Sequence, residues 1–129
     1  MGRMDVLLPV PLQPKARPRF LSKGRPYTDT KYREWTRNVR SILAEWWTRP
    51  PLQKGELVCL QMKFMGPGRS DLDNLSGALM DAGLPDPEAR PPWAGCWVDD
   101  RVTVLHRMEL EWEQKPTDQQ SILLTVIFK

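Results

Sequence analysis

Arg69-Ser70-Asp71-Leu72-Asp73-Asn74-Leu75 is the stretch on which the reading of this 129-residue chain turns. It follows Gly66-Pro67-Gly68, a breaker sequence that ends whatever precedes it. Leu72, Leu75 and Leu79 are spaced three and four apart. That spacing predicts a helix from near Asp73 to about Ala82, with Gly83 as its C-cap. On the upstream side, Val58, Leu60, Met62 and Phe64 alternate with Cys59, Gln61 and Lys63. This is the period of a strand over Glu56–Phe64 with one buried face. A strand thus passes to a helix through a loop that carries two aspartates.

Working outward, Met4–Val10 is a short apolar run ended by prolines, a strand at or near a sheet edge. Tyr27-Thr28-Asp29-Thr30 opens a helix, with Thr28 or Asp29 as the cap. Tyr32, Trp35, Val39, Ile42, Leu43 and Trp46 keep helical spacing to about Trp47, and Pro50-Pro51 stops it. The opposite face carries Lys31, Arg33, Arg37 and Arg40, read equally as solvated surface or as a face for a polyanion. Leu84 to Gly95, with Pro85, Pro87, Pro91 and Pro92, reads as a loop. Val102, Val104, His106, Met108, Leu110 and Trp112 alternate as one long strand, and Ile122–Phe128 is the last. The order β-α-β-α-β-β predicts a single α+β domain over 1–129, a mixed sheet with two main helices packed on it.

Composition narrows the function classes. No apolar run approaches the roughly 18 residues of a membrane span, and Met1-Gly2-Arg3-Met4-Asp5 is not the start of a signal peptide. Cys59 and Cys96 alone make neither a disulfide framework nor a zinc site, so a cytoplasmic protein is expected. Gly66-Pro67-Gly68 lacks the lysine of a phosphate-binding loop, so no nucleotide cofactor is expected. The net charge of +3 hides an asymmetry. Residues 1–49 hold 11 Lys/Arg against 4 Asp/Glu, and residues 50–129 hold 8 against 12. A basic first part and an acidic second suit a protein that grips phosphates and holds cations; ordinary solvated surface is the competing account.

The acidic residues form the candidate site. In a regular helix Asp71 and Asp73 would diverge by about 200°, but across a loop-to-helix junction both can converge on one cation. Hard cations such as Mg²⁺, with Mn²⁺ as a substitute, take carboxylate oxygens together with water and phosphate. Asp100, with Asp99 beside it, is the expected further ligand. Such a site activates water for in-line attack on a phosphodiester. The competing reading makes Asp71 or Asp73 a helix cap and Asp99-Asp100 a solvated turn. A calcium loop fails, because Leu75, Ser76 and Ala82 stand where a ligand, glycine and glutamate are needed. His106 reads as a packed residue, and Ser70 has no base to make it a nucleophile. Lys15, Arg17 and Arg19 project to one side if their segment is extended, and with Lys23, Arg25, Arg69 and Arg101 they are the candidate phosphate contacts. An exposed basic linker is the alternative.

Pro14-Lys15-Ala16-Arg17-Pro18-Arg19, Tyr27-Thr28, Tyr32, Asp71-Leu72-Asp73-Asn74-Leu75, Asp81 and Ala94-Gly95-Cys96-Trp97-Val98-Asp99-Asp100 occur in an order that resembles RusA-type Holliday junction resolvases. The resemblance covers roughly residues 5 to 110. It implies a RusA-like fold and a homodimer that binds four-way junction DNA and makes paired, symmetric, Mg²⁺-dependent nicks during recombination and repair. It also implies a bacterial setting, with phage or prophage coding. By position, the catalytic aspartates would be Asp71, Asp73 and Asp100. The chain departs from the family at Gly77, where a lysine is usual, leaving Arg69 or Arg101 to reach in. Residues 84–95 are longer than the family pattern, and the run Asp100-Arg101-Val102 is one residue shorter. A DNA-structure binder of the same fold, without catalysis, is the alternative these departures favour.

Overall fold

The pattern of alternation requires a sheet with one dry face, and the chain builds it from four strands. The computed structural model describes residues 1–15 and 30–129, with the backbone of Arg19–Phe20 and Pro26–Tyr27 between them. Strand β1 spans Gly2–Leu8, β2 Arg19–Phe20, β3 Pro26–Tyr27, β4 Leu57–Gly66, β5 Met108–Gln114 and β6 Ser121–Phe128. Helix α1 spans Thr30–Trp46 and α2 spans Leu72–Gly83. The sheet order is β1-β6-β4-β5, antiparallel except for the parallel pair β4–β5, and β2 with β3 forms a separate two-stranded ladder. Apart from that ladder, this is the expected β-α-β-α-β-β order of an α+β domain with a mixed sheet. No helix among the described residues is long and apolar enough to cross a membrane.

Register lines the side chains up in rows. Met4, Val126, Leu60 and Met108 form one row across the sheet, Val6, Leu124, Met62 and Leu110 the next, and Leu8, Ile122, Phe64 and Trp112 the third. Together with Tyr32, Trp35, Val39 and Leu43 of α1 and Leu75, Ala78, Leu79 and Ala82 of α2, they make one core, except for Trp112, which is exposed. One alternate row is polar: Asp5, Thr125, Gln61 and Glu109 lie in line. They are knitted by Thr125 Oγ1 donating to Asp5 and by Gln61 Nε2 donating to Glu109. Lys63 sits within 3.2 Å of Glu111 and 3.5 Å of Glu113 on the same face.

Four expectations need correction. The strand expected from Val102 begins only at Met108; Val104 and Leu105 are both buried, which no single strand face allows, and their amides donate to Arg101 O in a turn. A parallel neighbour of β4 must return to the start of that strand before pairing, and residues 99–107 make that return, ending in the bond from Leu60 N to Arg107 O. His106, expected to be packed, is therefore exposed and outside the strand. Val58 is half-buried while Leu57 and Cys59 are buried, because a register shift between Leu57 and Cys59 switches the phase of β4. Gly83 is the last residue of α2 and its φ is not positive; Leu84, in an extended conformation, is the C-cap.

The segment after α2 is more than a loop. Asp86 and Trp93 pair as an antiparallel bridge, and Leu52 pairs with Trp97. Gly95 turns the chain at φ +89, a conformation suited to glycine, against Gly83 O and the Pro85 amide nitrogen. The segment then caps α2. Trp97 Nε1 donates to Met80 O, Trp93 Nε1 and Arg40 Nε donate to Ala82 O, and the Cys96 amide donates to Gly83 O. The terminal carbonyls of a helix need such donors, and here two tryptophans and an arginine of α1 supply them.

Candidate functional site

The amino end of α2 is built by the loop the sequence announced. Arg69 N donates to Pro67 O, and Asp71 then takes an extended conformation as N-cap. Its Oδ1 accepts from Asn74 N at 2.8 Å, so the capping role is real. Asp73 lies in the first helical turn, where the helix dipole favours a carboxylate. Both side chains are exposed. An N-cap occupies one oxygen of Asp71, and a cation can take the other.

Asp99 and Asp100 sit in the turn after Trp97. Asp99 Oδ1 accepts from Arg101 N at 3.1 Å, and its other oxygen lies 3.4 Å from Arg101 Nε, while Asp100 is exposed. This turn hangs from the carboxyl half of α2, through Trp97 to Met80 and Gly83, whereas Asp71 and Asp73 are at the amino end. Among the described residues no group of three metal-capable side chains is assembled. Asp71, the N-cap, and Asp73, in the first turn, stand at the start of α2, and they are not gathered with Asp99 or Asp100 into a group of three. A carboxylate pair at a solvated helix end, with water and phosphate oxygens completing the shell, fits Mg²⁺ chemistry.

Of the candidate phosphate contacts, Arg17, Lys23 and Arg25 lie outside the described residues, and so does the expected cap at Thr28 or Asp29; Arg19 is described only as backbone, opposite Tyr27. Arg69 is exposed, and its side chain has no partner among the described residues. Arg101 is paired with Asp99.

Lys15 meets α2 at two points. Its amide donates to Asn74 O at 2.9 Å, and its Nζ lies 3.4 Å from Asp81 Oδ1. The methylenes between pass over Gly77, where an added Cβ would be 3.2 Å from Lys15 Cδ. Asp81 also accepts from the Tyr32 hydroxyl at 3.1 Å. Burial first, and the Asp81 carboxylate second, push the Tyr32 phenol well above its ordinary range. The sequence held a sign of this network that was not used: Asp73, Gly77 and Asp81 recur every four residues, on one side of α2.

Arg40 leaves the pool of free basic residues on α1. Its guanidinium reaches Ala82 O, Asp81 O and Asp86, at 3.2, 3.4 and 2.9 Å. Arg33 and Arg37 remain exposed beside an open cleft of about 1010 Å³ between α1 and residues 84–93, to which Arg90 also contributes. The thiols take no part in this surface. Cys96 is fully buried and pushed up to about 12 by desolvation, and burial raises Cys59 as well. The chain matches no known family model and no curated protein.

Proposed function

We propose that this protein is a Mg²⁺-dependent endodeoxyribonuclease of the RusA type, acting on four-way DNA junctions. The observation that carries this reading is the pair of exposed aspartates at the amino end of α2, with a lysine laid along the same helix. Asp71 and Asp73 would hold the cation, Mg²⁺ or Mn²⁺ in its place, with Asp100 as the further ligand the resemblance implies. Bound there, such a cation would supply activation of water and neutralisation of the leaving oxygen. Exposed Arg69, Arg33 and Arg37, with the basic residues between 15 and 25, meet the phosphates, so binding weakens steeply with salt. A homodimer supplies two equivalent sites for symmetric nicks. A bacterial cytoplasm, with phage or prophage coding, suits that chemistry.

A second reading is a junction-binding protein without catalysis. It is motivated by Gly77, which stands where the resembled family usually has a lysine. One experiment separates the two. Labelled four-way junction and matching linear duplex are incubated with wild type or Asp73→Asn, in Mg²⁺ or EDTA. Symmetric cuts confined to the junction, dependent on Mg²⁺ and lost in Asp73→Asn, are expected. Tight junction binding with no cutting in Mg²⁺ or Mn²⁺ would establish the second reading instead.

A further inference from the structure

Lys15 lies along α2 between an amide contact at Asn74 and an ion pair at Asp81. Its ion pair with Asp81 joins a half-exposed ammonium to a carboxylate that is 29% exposed, a partly solvated pair of modest energetic value. The pair runs over a glycine in the middle of α2, a position where glycine weakens a helix. Any other residue at 77 would press a Cβ to 3.2 Å from Lys15 Cδ and 3.5 Å from its Cβ. The Lys15 amide holds the residue to Asn74 O in the first part of α2, and the ammonium rests on Asp81 further along the helix. Asp73 and Asp81 share that side of the helix, with Gly77 between them as a slot.

Asp81 keeps a second partner, the Tyr32 hydroxyl, so the lysine can leave without stranding the carboxylate. Release costs little, because nearly half of the Lys15 side chain is already in water. Asp73 lies about 12 Å from Asp81 along the helix axis, and a lysine whose backbone is anchored at Asn74 approaches that end by folding its side chain back over Gly77. That movement carries the ammonium from Asp81 toward the end of α2 that bears Asp73.

We propose that Lys15 is the phosphate-binding cation of the α2 site, parked on Asp81 across the slot at Gly77 and transferred to a phosphodiester oxygen when nucleic acid binds beside Asp73. This rests on the nuclease reading above and names the group that holds the scissile phosphate. Asp81 and Tyr32 are positioning residues: they keep the ammonium over the helix until substrate arrives, and they have no contact with the reacting atoms.

The test is single-turnover cleavage of a synthetic four-way junction at saturating protein in Mg²⁺, with junction affinity measured separately in EDTA. Lys15→Ala should slow cleavage by about 100-fold, the scale of losing one charged group that stabilises a transition state. Its affinity should fall by no more than about tenfold, the share of one phosphate contact among several. Lys15→Arg, which keeps the charge, should stay within about tenfold of wild type. Lys15→Ala/Gly77→Lys, which regrows the ammonium from the floor of the slot, should recover at least about tenfold of the loss. Gly77→Ala should slow cleavage while leaving the melting temperature at or above that of wild type, because it crowds the lysine and strengthens the helix. Lys15→Ala cleaving within about threefold of wild type would overturn the proposal and leave the nuclease reading intact. So would a relocated lysine no faster than Lys15→Ala in a protein that melts normally. No Mg²⁺-dependent cutting by the wild type would overturn the nuclease reading, and this proposal with it.

Discussion

Gly83→Ala sets helix propensity against packing, and packing should win. In a helix, alanine is more favourable than glycine by about 1 kcal/mol. At residue 83, however, a Cβ would lie 2.1 Å from Trp97 Cζ2, 2.4 Å from Cε2 and 2.7 Å from Cη2. Trp97 is fully buried and cannot tilt away freely. Its Nε1 is tied to Met80 O at 3.0 Å, and its backbone bridges to Leu52. Overpacking of this kind costs about 1–3 kcal/mol, and loss of the indole hydrogen bond adds about 1 kcal/mol. The net expectation is destabilisation of about 1–3 kcal/mol, or a melting temperature lower by about 5–10 °C for a chain of this size. Thermal unfolding by circular dichroism reads it directly, and near-ultraviolet dichroism should show the tryptophan environment change. Gly77→Ala is the internal control, since its Cβ meets only the flexible Lys15 chain. A Gly83→Ala protein that melts with or above the wild type would refute the argument that Trp97 requires this glycine. It would also undo the account of how Asp99 and Asp100 are held, because their turn is anchored through Trp97.

Two further outcomes follow from the same region. Arg40→Leu removes charged donors from Ala82 O and Asp81 O and the partner of Asp86, and should cost about 2–3 kcal/mol. It should also make the exposed Glu88 more open to a glutamate-specific protease; unchanged stability and unchanged digestion would contradict the capping role. Tyr32 gives a pH dependence. Its phenol is raised above the ordinary 10.0, so the native state holds that proton more tightly than the unfolded chain does. The stability this adds is fully present below pH 10.0 and is lost as pH climbs toward the folded value. The stability difference between wild type and Tyr32→Phe should therefore be constant from neutral pH to about 9 and shrink above 10. Denaturant titrations at several pH values would show this, and a difference flat to pH 11 would contradict it.

Much of the architecture was legible because local periods report which face is dry. The stripe from Tyr32 to Trp46 marked α1 within one residue at its carboxyl end, and the leucines at 72, 75 and 79 marked α2. Alternation marked β4 and β6. It misled after Asp100, since Val102, Val104 and His106 alternate like a strand, yet the chain there must travel back along β4 before it can pair. No local pattern carries that requirement. Gly83 was misjudged for a similar reason: a glycine at a helix end reads as a left-handed cap, and only the indole of a residue fourteen positions later shows that it marks a close approach.

By itself, the sequence determined the order of the main elements, the dry faces of the two helices and the acidic junction at Asp71 and Asp73, because these depend on residue type and short spacing. The tertiary structure decided which distant groups meet. It set Lys15 over Gly77 and onto Asp81, turned Arg40 from a surface charge into a cap for α2, and sealed the carboxyl end of that helix with Trp93 and Trp97. Each of these pairings spans eleven or more residues, and such contacts are chosen by the need of buried carbonyls and half-buried charges for partners, which no single stretch of chain can supply.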